Sequence, residues 1–397
     1  LDAPLFSAPS GAFVHKPGLD LLRAIAIVWV MLFHSFVVGG LGPDYEWLSR
    51  YGWMGVDLFF VLSGFLIGTQ VLAPLAAGAS FSFRAFYRRR AFRILPAFAA
   101  VLCLYVALPS LREAPGLEPW WKFAGFVMNF SIDYSHNQAF SHAWSLCVEE
   151  HFYLLFPLLA LAMTRNPSTA KFTTLCAGIV LVGIALRSWV WLHDTALTEA
   201  GIGLDRNWFV EDIYYPTWNR LDGLLAGVAL ASFKVFRPGL WQSAQGRANV
   251  VLIAGASVLA LAFWLFRERT GLLGNSIGWP VLSLGLGLLV FAGAGDDSWI
   301  SRRHVPGSAG LAAISYSVYL THKAAFHGVQ MLWGEGLAGH GSIAFASYAF
   351  GALIVGMALY FGVERPFLKL RDRGARSKPA PVATSTLSRE SELEVGG

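Results

Sequence analysis

The chain has 397 residues, 55% of them hydrophobic and 14% charged, with a formal net charge of +5. Soluble domains carry about 25% charged residues, so this composition, with a mean hydropathy of +0.52, excludes an ordinary water-soluble enzyme. It predicts an all-α integral membrane protein with lipid around it and no nucleic-acid partner. Cys103, Cys147 and Cys176 fall in apolar runs without metal-ligand spacing, so neither a disulfide framework nor a metal site is expected.

Residues 1–18 read as a cytoplasmic lead-in. The run at 19–38, "LDLLRAIAIVWVMLFHSFVV", is long enough to cross a bilayer core of about 30 Å. It contains charge and lacks a small-residue cleavage site, so it is expected to stay in the membrane. Arg23 and His34 interrupt it eleven residues apart, which on a helix is about three turns and about 16 Å of rise. They share one face at different depths. Arg23 could snorkel to headgroups or face the interior, and His34 could bond a neighbouring helix or do chemistry.

The second run, at 53–74, contains "GVDLFFVLSGFLIG" with Asp57 and Ser63. An Asp in lipid costs several kcal/mol, so Asp57 should face the interior; a short connection makes a contact with His34 plausible. Next comes "FRAFYRRRAFRILP", a juxtamembrane segment in which Arg84, Arg88, Arg89, Arg90 and Arg93 either set topology or form an anion site. Arg forks suit polyphosphate, and Pro96 is placed to open the third helix and aim its N-terminus at such an anion.

The third span is expected at 94–111. Trp120 to Phe130 reads as an interfacial or re-entrant helix. The fourth span, at 142–164, opens with "SHAWSLCVEEHFYLLFP". Glu149 shares a face with Tyr153, while Glu149 and Glu150 diverge by 100°, so at most one of the two carboxylates should face a shared cavity. Further runs at 172–193, 216–235, 248–266, 278–294, 308–330 and 342–363 bring the spans to ten. With both termini cytoplasmic, most Lys and Arg lie inside, as the positive-inside rule requires. Residues 368–397 read as a polar, disordered cytoplasmic tail.

The sequence resembles the acyltransferase 3 family of membrane acyltransferases. "LRAIAIVWVMLFH", "GVDLFFVLSGFLI", "RRRAFRILP", "AWSLCVEEHFYLLFP", "NRLDGLLAGVALA", "ISYSVYLTH" and "VERPF" follow in the family's order from Leu19 to Phe367. The resemblance implies a ten-helix acyltransferase unit over 19–367. His34 is then the catalytic histidine, Arg23 its motif partner, Arg90 and Arg93 the donor-binding pair with Arg88 and Arg89 beside them, and Glu149 a functional acid. Asp57 or Glu149 would orient the His34 ring, and Trp144, Tyr153 and His322 would line the substrate path. Lys323, where relatives commonly carry a small or apolar residue and proline, is a departure without an assigned role.

The implied donor is acyl-CoA, with acetyl-CoA the expected form. The implied acceptor is a hydroxyl of a cell-envelope glycan, such as lipopolysaccharide, other polysaccharide or peptidoglycan, or of a small molecule. Neutral imidazole can take the hydroxyl proton near neutral pH or be acylated itself. The rival reading is a polytopic transporter of a polar or anionic precursor, since intramembrane charges also mark transport paths. Acylation by purified protein, against flux without acylation, separates the two.

Overall fold

The computed structural model describes residues 16–39, 46–203, 205–337 and 340–376. Among these residues the secondary structure is helical, without strands. Ten long helices fall on the ten apolar runs: α1 (Pro17–Phe33), α2 (Met54–Ala76), α3 (Phe83–Ala107), α4 (Trp144–Arg165), α5 (Thr169–Glu199), α6 (Leu221–Phe236), α7 (Ala248–Leu265), α8 (Trp279–Ala294), α9 (Ser308–Leu337) and α10 (Gly341–Leu359).

Eight of the described helices are long and apolar enough to cross a membrane, or nine if α6 and Pro238–Gln245, bent by 109°, form one broken span. Ten spans were expected, and eight or nine of them are carried by described helices that meet this length and composition requirement. Helix α9 falls outside the apolar set because it carries Ser315, Ser317, Thr321, His322 and Lys323, all buried. Its polar groups face protein, so hydropathy understates how deeply it is embedded.

Helix α2 is apolar all round and buries residues on every face, which suits a central position. It packs against α1, α4, α6 and α8. Its approach to α6 is backbone on backbone: a Cβ at Gly64 would collide with the Leu224 carbonyl, and one at Gly227 with the Val61 carbonyl. Helix α9 packs against α1 and α10.

Two sequence expectations need correction here. Helix α3 starts at Phe83, where the Ser82 hydroxyl accepts from the Ala85 N–H at 3.2 Å. Pro96 therefore lies inside this helix and does not open it, so no helix N-terminus is available there for an anion. Helix α11 (Arg365–Arg376) follows a π-turn at Tyr360–Glu364, so residues 368–376 are helical and the proposed tail begins later. Lys378 to Gly397, and residues 1–15 of the lead-in, lie outside the described residues. The aromatic segment between α3 and α4 forms a five-residue helix, Trp120–Ala124, and a short turn, Met128–Phe130, far too short to span.

Candidate active site

Helices α1, α2, α3, α4 and α9, with the π-turn at Tyr360–Glu364 and α11, line a partly open cavity of about 330 Å³. Lys16, Arg23, Arg90, Arg93 and Arg371 line it, together with Asp20, Glu149, Glu150 and Glu364. Arg90 and Arg93 are three residues apart on α3, which puts both on one face. Arg88 is exposed and Arg89 lies outside the cavity wall, because each is rotated by 100° or more from Arg90. Of the four candidate arginines, the helix turns two inward. Arg90 donates to Gln70 at 3.2 Å and lies over the Tyr153 ring at 5.7 Å, while its Nε is buried without a partner among the described residues.

Two of the carboxylates of this cavity are held by hydroxyl donors. Glu149 accepts from Ser63 at 2.7 Å and from Tyr153 at 3.1 Å, as the shared helix face predicts. Glu364, buried, accepts from Ser317 at 2.7 Å. Glu150 also lines the cavity, which corrects the expectation that only one of the adjacent carboxylates would do so. The cavity wraps around α4 far enough to admit side chains 100° apart. Arg23 sits in the same wall, 3.9 Å from Asp20. It faces the bundle interior.

Tyr319 and Ser145 form the wall of the cavity toward a cluster of three histidines. Their hydroxyls are 2.5 Å apart, and Tyr319 also donates to the His142 carbonyl at 2.8 Å. Behind them, His322 Nε2 lies 2.8 Å from His34 Nδ1, and His142 packs its ring 5.0 Å from that of His322 and 6.1 Å from that of His34. Helix α1 ends at Phe33, and His34 begins a 3₁₀ turn, His34–Val38. The tightened turn re-aims His34 toward α9. Among the described residues, no group of three or more His, Cys, Asp or Glu side chains is arranged to hold a metal ion.

Lys323 follows His322 and turns toward the connection between α3 and α4. It pairs with Glu113 at 2.8 Å and donates to Ser141 at 3.3 Å. Burial disfavours the Glu113 charge, but the Lys323 charge and hydrogen bond, with the Tyr105 and backbone hydrogen bonds, together hold this carboxyl below its ordinary value. Glu113 also accepts from Tyr105 at 2.8 Å and from the Phe140 N–H at 3.0 Å. Phe140 has a left-handed backbone, φ 55°, a conformation that costs a non-glycine residue about 1–2 kcal/mol. The Lys323–Glu113 pair thus clamps the strained turn that presents His142. That gives the unexplained lysine a structural place.

Neither carboxylate expected to orient His34 does so. Asp57 instead pairs with Arg220 at 2.8 Å, with both side chains buried. The Arg220 guanidinium lies over the rings of Trp279 at 3.7 Å, Tyr214 at 4.6 Å and Trp144 at 5.0 Å. Trp144 is accordingly part of this aromatic cage, stacked on Tyr215 at 5.0 Å, and does not line the cavity as a substrate contact. Alongside, Arg187 pairs with Asp222 at 2.8 Å and donates to the Asn219 and Asn275 carbonyls, each at 2.9 Å. Sequence reasoning missed Glu150, Glu364, Tyr319, His142 as a member of the cluster, and the Arg187 and Arg220 pairs. Arg220 and Asp222 stand in the quoted motif "NRLDGLLAGVALA", which gave them no role, and the sequence signal for Arg187 was its occurrence within an apolar run.

Fold and site together define a multi-pass, all-α membrane protein organised around an internal polar site. Comparison with known proteins makes this specific: the chain belongs to the acyltransferase 3 family, whose model, described as an acyltransferase domain, matches residues 16–361. It is 25% identical over 343 residues to "Putative O-acetyltransferase SAS0844" of Staphylococcus aureus (strain MSSA476), covering 81% of this chain and 52% of that protein. It is 26% identical over 332 residues to "O-acetyltransferase OatA" of Staphylococcus aureus (strain NCTC 8325 / PS 47), covering 78% of this chain and 50% of that protein. The chain thus spans about half the length of the curated relatives it matches. No solved structure matches it.

Proposed function

We propose that this protein is a membrane-bound O-acyltransferase that moves an acyl group, acetyl foremost, from acyl-CoA to a hydroxyl of an envelope glycan or similar acceptor. The observation that carries the proposal is the cation-lined cavity ending one side chain short of the His34 cluster. The relatives named as O-acetyltransferases favour acetyl as the group transferred. The nucleotide end of acyl-CoA is polyanionic and matches Arg90, Arg93 and Arg23, while the neutral arm would extend toward Tyr319 in the cavity wall.

In this mechanism His34 removes the acceptor proton as the oxygen attacks the thioester carbonyl. The tetrahedral intermediate then expels the thiolate, which takes the proton from His34, leaving an ester and free CoA. In the two-step variant His34 itself attacks and carries the acyl group before the hydroxyl takes it. Lys323 and Arg220 are structural in both routes. The transferase unit covers residues 19–367 of a bacterial cytoplasmic-membrane protein with both termini cytoplasmic, so donor and acceptor meet His34 from opposite sides.

Charge reversal of the donor pair, Arg90→Glu with Arg93→Glu, should weaken acyl-CoA binding at least ~100-fold, since each lost charge-assisted bond is worth roughly 1.5–3 kcal/mol. The Lys pair should lose less, keeping charge without the bidentate fork. Isothermal titration on folded protein reads both; unchanged affinity in the Glu pair would remove the donor assignment.

Sidedness is tested in sealed vesicles. Donor on the cytoplasmic side should support acylation of acceptor on the other, and donor on the outer side should fail. Ser135→Cys should label from outside and Ser168→Cys from inside, in protein whose Cys103, Cys147 and Cys176 are replaced by Ala. Reversed labelling would overturn the orientation, and equal turnover from either side would end the cross-membrane route. Flux without acylation would instead identify a transporter.

A further inference from the structure

We infer that His322 is a positioning residue that fixes the tautomer of His34, leaving Nε2 of His34 as the nitrogen that reacts. The inference deepens the proposed transferase reading and rests on His34 being its acting base or nucleophile. His322 Nδ1 lies 2.8 Å from the Tyr319 carbonyl oxygen. A carbonyl only accepts, so this nitrogen carries the proton. Neutral imidazole has one N–H, and its other nitrogen must then be an acceptor. That nitrogen, Nε2, lies 2.8 Å from His34 Nδ1. His34 therefore donates from Nδ1 and keeps its lone pair on Nε2.

The orienting ring is itself rigid. His322 is fully buried on α9, and the carbonyl that fixes its tautomer belongs to Tyr319, one turn earlier on the same helix. His142 does not compete for the His34 proton. Its Nε2 lies 3.3 Å from the Leu320 carbonyl, which makes Nε2 its donor, and its Nδ1 has no hydrogen-bond partner among the described residues. One backbone carbonyl thus dictates, through His322, which face of His34 is basic. When Nε2 takes a proton, the Nδ1–H bond to His322 becomes charge-assisted and strengthens without any group having to move. A neutral imidazole here occupies the orienting position for which sequence reasoning had offered a carboxylate.

The test uses the full chain, histidine-labelled with ¹⁵N, in lipid nanodiscs at a pH where His34 is neutral. The ¹⁵N shifts should report His34 in the Nδ1–H form. In His322→Phe, which keeps the packing and removes the acceptor, His34 should leave that form. Turnover should fall about 10²–10⁴-fold, as loss of an oriented base does, while KM for acyl-CoA stays within about twofold because the arginines are untouched. His322→Gln, whose carboxamide oxygen accepts from Nδ1–H, should recover about tenfold or more of the lost kcat. An Nε2–H tautomer for His34 in the unaltered protein overturns the inference, as does an unchanged tautomer and kcat in folded His322→Phe. The spectrum of the unaltered protein needs no variant, so a misfolded His322→Phe leaves the inference open to refutation. Absence of acyl transfer by protein showing the Nδ1–H form would sink the transferase reading and leave the tautomer assignment standing.

Discussion

His34→Ala should lower acyl transfer by at least ~100-fold, the lower end of what a positioned general acid–base group contributes. The loss should fall on kcat. Arg90 and Arg93, proposed to hold the donor, lie in the cavity that Tyr319 walls off from the histidine cluster, so acyl-CoA affinity should change little. Stability should change modestly. His34 is only half buried, and its removal deletes one hydrogen bond, worth about 1 kcal/mol net, while leaving His322 Nε2 short of a donor. Turnover and thermal unfolding measured on the same preparation separate these effects. A folded His34→Ala protein with undiminished turnover would show that another group performs the chemistry.

Much of the fold was legible because lipid imposes a length requirement that apolar runs display directly. The ten long helices lie where ten runs were drawn, yet α9 is recognisable by position and motif rather than by hydropathy, since its buried face is polar. Local geometry was also readable. The i,i+4 spacing of Glu149 and Tyr153 predicted a shared face, the family resemblance paired Arg90 with Arg93, and both pairs line one cavity. Pro96 misled because proline fits a helix start, whereas Ser82 supplies the actual cap.

Partner identity was not legible. His34 and His322 are 288 positions apart, and Asp57 and Arg220 are 163 apart. Which polar groups meet depends on which helices are neighbours and how each is rotated. Helices α1 and α2 are adjacent, as their short connection implied, but the 3₁₀ turn at His34 and the first-turn position of Asp57 send the two side chains to different partners. A sequence shows that a charge in the membrane needs a partner; it does not say which one.

That distinction sets up the largest expected effect on stability. Asp57→Asn leaves the Arg220 guanidinium with its side chain wholly buried and its counter-charge gone. Removing one partner of a buried ion pair costs about 3–5 kcal/mol. The aromatic faces of Trp279, Tyr214 and Trp144 offset part of that, since a desolvated cation over a ring gains roughly 2 kcal/mol. Arg220 Nε and Nη1 already lack hydrogen-bond partners among the described residues, so the guanidinium has no further hydrogen bond in place to offset the lost charge. We expect Asp57→Asn to be destabilised by at least ~2 kcal/mol and the double replacement Asp57→Leu with Arg220→Met to regain most of it, because matched apolar residues of similar volume tolerate such a site. Unfolding followed in a double-mutant cycle gives the coupling, and the same proteins assign the function of Asp57. If its work is to neutralise Arg220, the folded double variant retains acyl transfer. If Asp57 takes part in the chemistry, as its place in the second-helix motif implied, the double variant is stable and inactive, and the ion pair cannot be its whole role.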